Sequence, residues 1–343
     1  MLLELSRPEV EVFLHDFEEM PVRSSWFTHP LDPDLWCVDS EVSVRGEEDF
    51  DHSFFGYSAS GNREQALANS CHEIVERLLA TRLFQGNARV EAGWSCRTIF
   101  GDEPAGQAGA DAILVRERQH ASGSASGLGL HETRETAVLH GLGELIERHL
   151  LMRWWYAGDI LLHRTRREDL RAGFSIDYYS TSDIVPLSLA VLHDREESMI
   201  FCGAAVKASW QEAEAHAREE ALHLSTNHLV KRLFDDNPTG AGLRGNVAET
   251  ISRVARLHGP AAHAMMDHIR RRTLAYASPA IKSSNWEKIA EAAFGEVGSL
   301  RYACLGRWAG RLEGVRVLAG RALTKNDARR QWAASALVMD PFC

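Results

Sequence analysis

The sequence predicts an α+β fold in which mixed or antiparallel sheets pack against helices, with an internal pseudo-repeat. Two segments, residues 66–84 and 137–155, have apolar side chains at helical spacing and share a motif of charged residues. Two short runs rich in β-formers, residues 187–192 and 198–206, are separated by HDREE, which is typical of paired strands. Strands and helices do not alternate with a regular period, which argues against a doubly wound parallel sheet.

Other segments extend this assignment. The sequence ADAILVRER at residues 110–118 has the composition of a further strand. Helical patterns predict that helices resume at residues 247–258 and around residues 262–273.

The clearest loop is DDNPTGAGLRGN at residues 235–246, which is dense in Asp, Asn, Pro and Gly. It contains the spacing Gly240-x-Gly242-x-x-Gly245, which matches a dinucleotide-binding fingerprint. No strand precedes it, because residues 229–234 continue a helical pattern. A surface loop is therefore the preferred interpretation.

The two repeated segments share the motif Glu-x-x-Glu-Arg, and equivalent residues lie 71 positions apart. The motif residues are Glu73, Glu76 and Arg77 in the first copy and Glu144, Glu147 and Arg148 in the second. Each copy begins with a residue typical of a helix N-cap, Asn62 or Thr133, followed by a polar first turn. A weaker third copy is expected at residues 210–228, where Glu220 and the alanine spacing are retained.

Composition excludes several classes of partner. The chain has 343 residues, and its 38 Lys and Arg against 48 Asp and Glu give a net charge of −10. This balance argues against general binding to nucleic acid or to an anionic membrane. The sequence shows neither a signal peptide nor an apolar stretch of about 18 residues, and its six cysteines are widely spread. A cytoplasmic protein without disulfides or structural zinc is expected.

The repeated glutamates suggest a metal site. Glu-x-x-Glu-Arg is common on solvated helices, where it forms weak surface ion pairs. Here apolar neighbours such as Ile74 and Leu145 flank the glutamates, which places the carboxylates at the margin of a core. Carboxylates gathered there need a cation, since desolvation and like charge both oppose ionisation. Mg²⁺ is commonly held by one or two carboxylates with substrate phosphates, and arginines suit phosphate.

These residues carry a resemblance to a known family, because Ser70-x-x-Glu73-x-x-Glu76-Arg77 matches the YcaO pattern Ser-x-x-Glu-x-x-Glu-Arg. Residues 125–149 are similar to the family's second glutamate block, and residues 202–223 to its later Gly-rich strand and Ala-rich helix. HIRRRTLAYASP at residues 268–279 and the terminal DPFC resemble segments of peptide-modifying members. The resemblance implies one YcaO domain over residues 1–343.

The resemblance also implies roles for individual residues. ATP and Mg²⁺ are the implied cofactors, and the implied metal ligands are Glu73, Glu76, Glu144, Glu147 and Glu220. Ser70 and Glu73 would contact the nucleotide, while Arg77 and Arg148 would support its phosphates or orient the glutamates. Glu76, Glu147 and the two arginines form the implied catalytic group.

The sequence departs from the family pattern at several positions. Many members have Gly-Lys-Gly before the first motif, whereas this chain has FFGYSASGN and its first lysine is Lys207. Phosphate contact at this point would fall to Ser58, Ser60 or Arg63. His140 and His223 replace glutamines and could be either metal ligands or residues of the core or surface.

The implied activity is that of an ATP-dependent cyclodehydratase in the biosynthesis of modified peptides such as thiazole/oxazole-modified microcins. A Cys, Ser or Thr side chain of a ribosomally made precursor peptide adds to the preceding backbone carbonyl. The oxyanion is then phosphorylated by ATP, and loss of phosphate leaves a thiazoline or oxazoline. Product, peptide and stoichiometry are not fixed by the sequence.

Partners and alternatives follow from the same resemblance. The roughly 60 residues before the first motif are expected to be too few and too irregular for a leader-binding domain, so an E1-like leader-binding partner is implied. An FMN-dependent dehydrogenase could join it in a homo- or hetero-oligomeric complex. Thioamide formation and amidine formation share the ATP chemistry and remain open. An inactive scaffold is the alternative of another class, suggested by departures at Glu132, Thr136 and His140.

Overall fold

The computed structural model describes residues 9–45, 51–115, 126–181, 184–234, 259–274 and 285–320. Within these ranges the chain forms three β-sheets packed against helices, which confirms the predicted α+β class. The predicted loop at 235–246, the predicted helix at 247–258 and the C-terminal DPFC lie outside the described residues.

Sheet 1 is an antiparallel meander with the strand order β1-β2-β3-β4. Its strands are β1 (Glu11–Phe17), β2 (Met20–His29), β3 (Asp32–Arg45) and β4 (Asp51–Ser60). The segment before the first motif is therefore regular, although the sequence analysis expected it to be irregular. The turn between β1 and β2 consists of Glu18 and Glu19, with φ values of 50° and 69°. Such turns favour Gly or Asn, so this hairpin lacks its usual sequence signal.

Sheet 2 has the order β11-β10-β9-β8-β12. Its strands are β8 (Leu162–Asp169), β9 (Phe174–Ser180), β10 (Leu187–Asp194), β11 (Ile200–Val206) and β12 (Thr273–Leu274). The predicted pairing of the two apolar runs is confirmed, because β10 and β11 are antiparallel neighbours with Val191 opposite Cys202. Every residue of β9 and β11 is buried, which explains the continuous apolar character of β11.

Sheet 3 is antiparallel and has the order β6-β5-β13-β14-β7. Its strands are β5 (Trp94–Thr98), β6 (Pro104–Ala108), β7 (Leu128–His131), β13 (Leu300–Trp308) and β14 (Leu312–Ala319). This sheet joins the middle of the chain to residues near 320. The last strand of the described ranges, β14, lies directly beside β7, which precedes the second repeated helix.

The helices agree with most of the predicted positions. They are α1 (Arg63–Leu79), α2 (Arg82–Gln85), α3 (Asn87–Ala92), α4 (Ala110–Ile113), α5 (Arg134–Met152), α6 (Trp210–Phe234), α7 (Pro260–Arg271) and α8 (Trp286–Phe294). The predicted N-caps are confirmed, since Asn62 Oδ1 accepts from the Gln65 amide and Thr133 Oγ1 from the Thr136 amide. No helix in the described ranges is long and apolar enough to cross a bilayer.

The predicted strand at residues 110–118 is wrong. Its described part forms the short helix α4, in which the Leu114 amide donates to the Ala110 carbonyl at 2.8 Å. The apolar run is only four residues long, and one helical turn is enough to bury Ile113. Short apolar runs of this kind do not distinguish a strand from a buried helical turn.

The three repeated helices α1, α5 and α6 pack on three different sheets. Each contacts the strand that precedes it, namely β4, β7 or β11, and each of these strands is an edge of its sheet. Each helix also contacts the edge strand of another copy, because α1 contacts β7, α5 contacts β11 and α6 contacts β4. The three helix–strand units therefore form a closed ring of contacts, and the weak third copy is a structural counterpart of the other two.

Each helix approaches its own edge strand at a glycine. The distances from a Cβ built on these glycines are 1.8 Å for Gly56 to Ser70 O, 2.0 Å for Gly129 to Ala137 O and 2.2 Å for Gly203 to Ala217 O. No real Cβ could occupy these positions without moving the helix backbone. The close approach of each helix to its edge strand therefore depends on a residue without a side chain.

We predict that Gly203→Ala strongly destabilises the fold, because its Cβ would lie 2.2 Å from Ala217 O and 2.3 Å from Ala221 N. Overpacking against backbone is expected to lower the free energy of unfolding by about 3 kcal/mol or more. Urea denaturation measures this change. Gly298→Ala is the control, since nothing lies within 4 Å of its built Cβ. Equal stability of the two variants would contradict the close approach.

Candidate active site

One glutamate from each repeated helix accepts a hydrogen bond from the backbone at the free edge of the preceding sheet. The pairs are Tyr57 N with Glu73 Oε2 (2.6 Å), Gly127 N with Glu144 Oε2 (3.0 Å) and Ala204 N with Glu220 Oε2 (2.7 Å). An edge amide would otherwise lack a strand partner. These bonds fix the rotation of each helix relative to its sheet.

The next motif residue, three positions later, lies about 60° around the helix and faces the neighbouring copy. Glu76 of α1 interacts electrostatically with Glu144 of α5, and Glu147 of α5 with Glu220 of α6. We name these pairs the first and second junctions, and the five glutamates including Glu73 the glutamate cluster. The structure therefore brings all five predicted metal ligands into one neighbourhood.

The third copy has a histidine at the corresponding place. His223 Nε2 lies 3.3 Å from Asp39 Oδ1, and its ring lies 5.6 Å from the ring of Tyr57. His223 also interacts electrostatically with Glu220. His140, the other substituted position, is an exposed residue one turn before Glu144 on α5.

Burial opposes the charged state of the cluster. Burial, together with the charges of Glu144 and Glu73, raises the pKa of Glu76 to about 8. Burial and the charge of Glu220 raise the pKa of Glu147 well above its usual value, and burial raises those of Glu144 and Glu220. A bound cation would restore the ionised state of these carboxylates.

The motif arginines lie beside the motif glutamates. Arg77 forms an ion pair with Glu73 and donates from Nη1 to the Phe55 carbonyl at 2.7 Å. This arrangement holds Glu73 against β4, so Arg77 orients a glutamate of the cluster. Arg148 Nε lies 3.7 Å from Glu147 Oε1.

Two further cations that the sequence analysis did not assign to the site lie at the cluster. Arg316 on β14 is 7% exposed, and the charges of Glu144 and Glu76 oppose the lowering of its pKa by burial. Lys207 follows directly after β11 and interacts electrostatically with Glu147 and Glu220. Burial lowers the pKa of Lys207, and the charges of these glutamates oppose that lowering. Neither belongs to the repeated motif, so only the fold reveals their position.

Two of the predicted nucleotide contacts, Ser70 and Arg63, are engaged in other interactions. Ser70 has no exposed surface, and its hydroxyl bonds Ser40 Oγ at 2.7 Å and donates to the Leu67 carbonyl at 2.9 Å. This location favours a role in holding α1 on β3 over a direct contact with nucleotide. Arg63 is at the other end of α1 and stacks 4.3 Å from the centre of the Trp26 ring.

Ser58 remains close to the cluster. It follows Tyr57 on β4, and it lies on the same side of this strand as Gly56, which approaches α1. Its position is compatible with the predicted phosphate contact.

The donor set fits Mg²⁺ bound together with phosphate. In the described part of the chain, no group of three or more His, Cys, Asp or Glu side chains is arranged around a single metal ion. The cluster instead offers carboxylates in pairs. Mg²⁺ prefers oxygen ligands and usually takes one or two carboxylates, completing its shell with water and substrate phosphates. The first and second junctions have this composition.

Fold and site together define an α+β protein with paired buried glutamates suited to a metal–nucleotide complex. A family model for the YcaO cyclodehydratase, ATP- and Mg²⁺-binding, matches residues 108–293, more than half of the chain. The chain therefore belongs to the YcaO family, whose cofactors are ATP and Mg²⁺. The predictions of family, fold class and cofactors are confirmed. No curated protein sequence matches the chain.

Solved structures share the fold at low sequence identity. YcaO from Methanopyrus kandleri bound with AMPPCP and Mg²⁺ is 15% identical, with a TM-score of 0.54 over 91% of this chain and 85% of that chain. The E. coli microcin synthetase McbBCD complex with pro-MccB17 bound contains a chain that is 12% identical, with a TM-score of 0.61 and 87% of each chain covered.

A heterocyclase in complex with substrate and cofactor is 14% identical, with a TM-score of 0.57. The alignment covers 87% of this chain but only 50% of the heterocyclase chain. At these identities the likeness is one of fold.

We predict that the metal-free protein loses stability as the pH rises from about 4.5 to about 8. The pKa of Glu76 is about 8 in the folded chain against a usual 4.5, so the folded state binds more protons in this range. Glu76→Gln removes this contribution and should flatten the pH dependence of the free energy of unfolding. Urea denaturation in a chelator, on both sides of the range, measures the slope.

The control for this experiment is Glu135→Gln, an exposed position on α5. Its slope should equal that of the parent chain. A Glu76→Gln variant with the parent slope would contradict the burial of this carboxyl group. Added Mg²⁺ should also flatten the parent slope, because the metal competes with the proton for the carboxylate.

Proposed function

We propose that this chain is an ATP-dependent cyclodehydratase that activates backbone amide oxygens of a ribosomally synthesised precursor peptide, giving thiazoline or oxazoline rings. The observation that carries the proposal is the pair of glutamates at each of two junctions between repeated helices. Their donor set suits Mg²⁺ with phosphate, and the family is described as a cyclodehydratase.

Each group in the cluster has a separate task in this proposal. Glu76 and Glu144 hold metal at the first junction, and Glu147 and Glu220 hold it at the second. Bound Mg²⁺ would draw negative charge off the phosphoryl group during its transfer. Arg77 keeps Glu73 on the edge of β4 and thereby supports the cluster.

Arginines supply the remaining positive charge. Arg148 lies beside Glu147, and Arg316 interacts electrostatically with both glutamates of the first junction. Guanidinium groups make paired hydrogen bonds to phosphate oxygens, which suits both residues to contact with a nucleotide. Arg316 also offsets the charge of Glu76 and Glu144 when metal is absent.

The charges of the site favour joint binding of metal and nucleotide. The cluster has five carboxylates and four cationic side chains, which are Arg77, Arg148, Lys207 and Arg316. ATP alone would bring its negative charge next to these carboxylates, and Mg²⁺ alone would face four fixed cations. Together they change the net charge little, so each should strengthen the binding of the other.

Peptide and partners are part of the same proposal. We propose one YcaO domain over residues 1–343 that acts with a separate E1-like leader-binding protein in a hetero-oligomeric complex in the cytoplasm. An FMN-dependent dehydrogenase would convert the azoline to an azole. The support is the fold shared with a chain of the McbBCD complex, which has pro-MccB17 bound, and with a heterocyclase in complex with substrate.

We predict that Glu76→Ala and Glu147→Ala each abolish Mg²⁺-dependent binding of ATP while the protein stays folded. Each substitution removes one carboxylate of a junction and leaves too few protein ligands to hold the metal. Calorimetric titration with Mg-ATP measures the affinity, and circular dichroism reports the fold. Glu135→Ala, exposed on α5, is the matched control and should bind as the parent does.

Full affinity for Mg-ATP in both variants would contradict the assignment of these glutamates to the metal site. Loss of binding in the Glu135→Ala control would show that the effect is not specific to the cluster.

We predict that the chain, incubated with precursor peptide, leader-binding partner and Mg-ATP, consumes ATP and removes one water from each modified residue. Mass spectrometry of the peptide identifies the product. Replacement of oxygen by sulfur in the peptide would instead assign the chain to thioamide formation. Water loss through attack by a backbone or terminal amine would assign it to amidine formation. No turnover in the presence of bound ATP would favour a scaffold function, against which the retention of all five glutamates argues.

A further inference from the structure

Lys207 has a defined place in the ring of repeated units. It is the residue directly after β11, and its amide donates to the Pro186 carbonyl at 3.4 Å. Three residues later α6 begins at Trp210. It is also the first lysine in a chain that has only five. The residue before Lys207, Val206, packs against α5, because a Cβ built on Gly143 would lie 3.2 Å from the Val206 carbonyl, and Gly143 is one turn before Glu147. The same strand is bonded to Glu220 through the Ala204 amide at 2.7 Å. Lys207 therefore leaves β11 between the two helices that supply the second junction.

Carboxylates of two helices act on the charge of this ammonium group. Glu147 of α5 and three glutamates of α6 interact with it electrostatically, and these are Glu212, Glu219 and Glu220. His140 and His216 are further titratable neighbours. The side chain is partly buried, so its charge acts in a medium of lower polarity than water.

The ammonium group nevertheless makes no direct ion pair or hydrogen bond with another residue in the described ranges of the chain. Arg77 differs, because it is in contact with Glu73 and Phe55. A lysine that served only to neutralise one glutamate would gain most by moving to hydrogen-bonding distance of it. Lys207 instead keeps its three N–H donors available near the second junction.

The residues near the first motif that could replace the family's lysine as a phosphate contact are less favourable. Arg63 stacks on Trp26 at the far end of α1, and the hydroxyl of Ser60 accepts a hydrogen bond from the Asn62 amide. Ser58 has no charge. An ammonium group beside a carboxylate pair suited to Mg²⁺ is the arrangement that a metal-bound phosphate requires, since the metal satisfies the carboxylates and the lysine a free phosphate oxygen.

We propose that Lys207 is the lysine of this chain that binds the phosphates of the nucleotide, in place of a lysine before the first repeated helix. This inference rests on the proposed function, because it assumes that Mg-ATP occupies the glutamate cluster. The proposal gives the third repeated unit two roles, because Lys207 would bind phosphate and Glu220 belongs to the second junction.

An acyl-phosphate derivative of ATP tests the proposal directly. Its acyl carbon forms an amide bond with a nearby lysine nitrogen, the bond from acyl carbon to phosphate oxygen breaks, and ATP and a proton leave. Mass spectrometry of the digested protein should find the acyl group on Lys207, and excess Mg-ATP should suppress this labelling. Mg²⁺ alone is a required control, because the metal by itself changes the surroundings of the ammonium group.

Lys288 is the internal control for this experiment. It is exposed at the start of α8, and its labelling should not respond to Mg-ATP. Unchanged labelling of Lys207 while Mg-ATP is bound would overturn the inference and leave the proposed function intact. Absence of Mg-ATP binding to the parent chain, measured by calorimetry, would overturn both.

Substitution provides a second measurement. Lys207→Met keeps the length of the side chain and removes its charge, so affinity for Mg-ATP should fall about tenfold. Lys207→Arg should restore most of this loss, and Lys288→Met should bind as the parent does. Equal affinity in Lys207→Met and the parent would overturn the inference. If Lys207→Met does not fold, the labelling of the parent chain decides the question.

Discussion

In this fold, a carboxylate from a helix binds the backbone amide at the free edge of the sheet that the helix covers. This interaction occurs three times, at Glu73, Glu144 and Glu220. It satisfies a backbone amide that has no strand partner, and it gives the partly buried carboxylate a hydrogen-bond donor. One contact therefore offsets the desolvation cost of both groups. It also sets the rotation of each helix about its axis.

The rotation explains the spacing of the motif. When the first glutamate points at its own edge strand, the residue three positions later lies about 60° further around the helix. Because the three units form a ring, this direction leads to the first glutamate of the next unit. Glu76 therefore approaches Glu144, and Glu147 approaches Glu220. The spacing Glu-x-x-Glu is thus a geometric requirement of units that share carboxylates across their contacts.

The sequence predicted the features that local patterns encode, which are the helix starts and the three repeated units. It did not predict residues that only the strand order brings to the site. Helix starts at Asn62 and Thr133 follow from local capping chemistry, and the weak third copy keeps Gly203 and Glu220, which the helix–strand contact needs. Arg316 lies in an ordinary apolar strand near the end of the described chain. Only the position of β14 beside β7 brings it to the first junction, and no local pattern encodes that placement.

The contact between α6 and β4, where the third repeated unit meets the first, breaks the symmetry of the ring. There the place of Glu76 and Glu147 is taken by His223, which contacts Asp39 and Tyr57 instead of adding a carboxylate. An imidazole nitrogen is a poor ligand for Mg²⁺, which prefers oxygen. Among the described residues, the ring therefore has pairs of motif glutamates at two junctions only. A repeat that builds three similar units thus yields one asymmetric site, because a single position in the third unit differs.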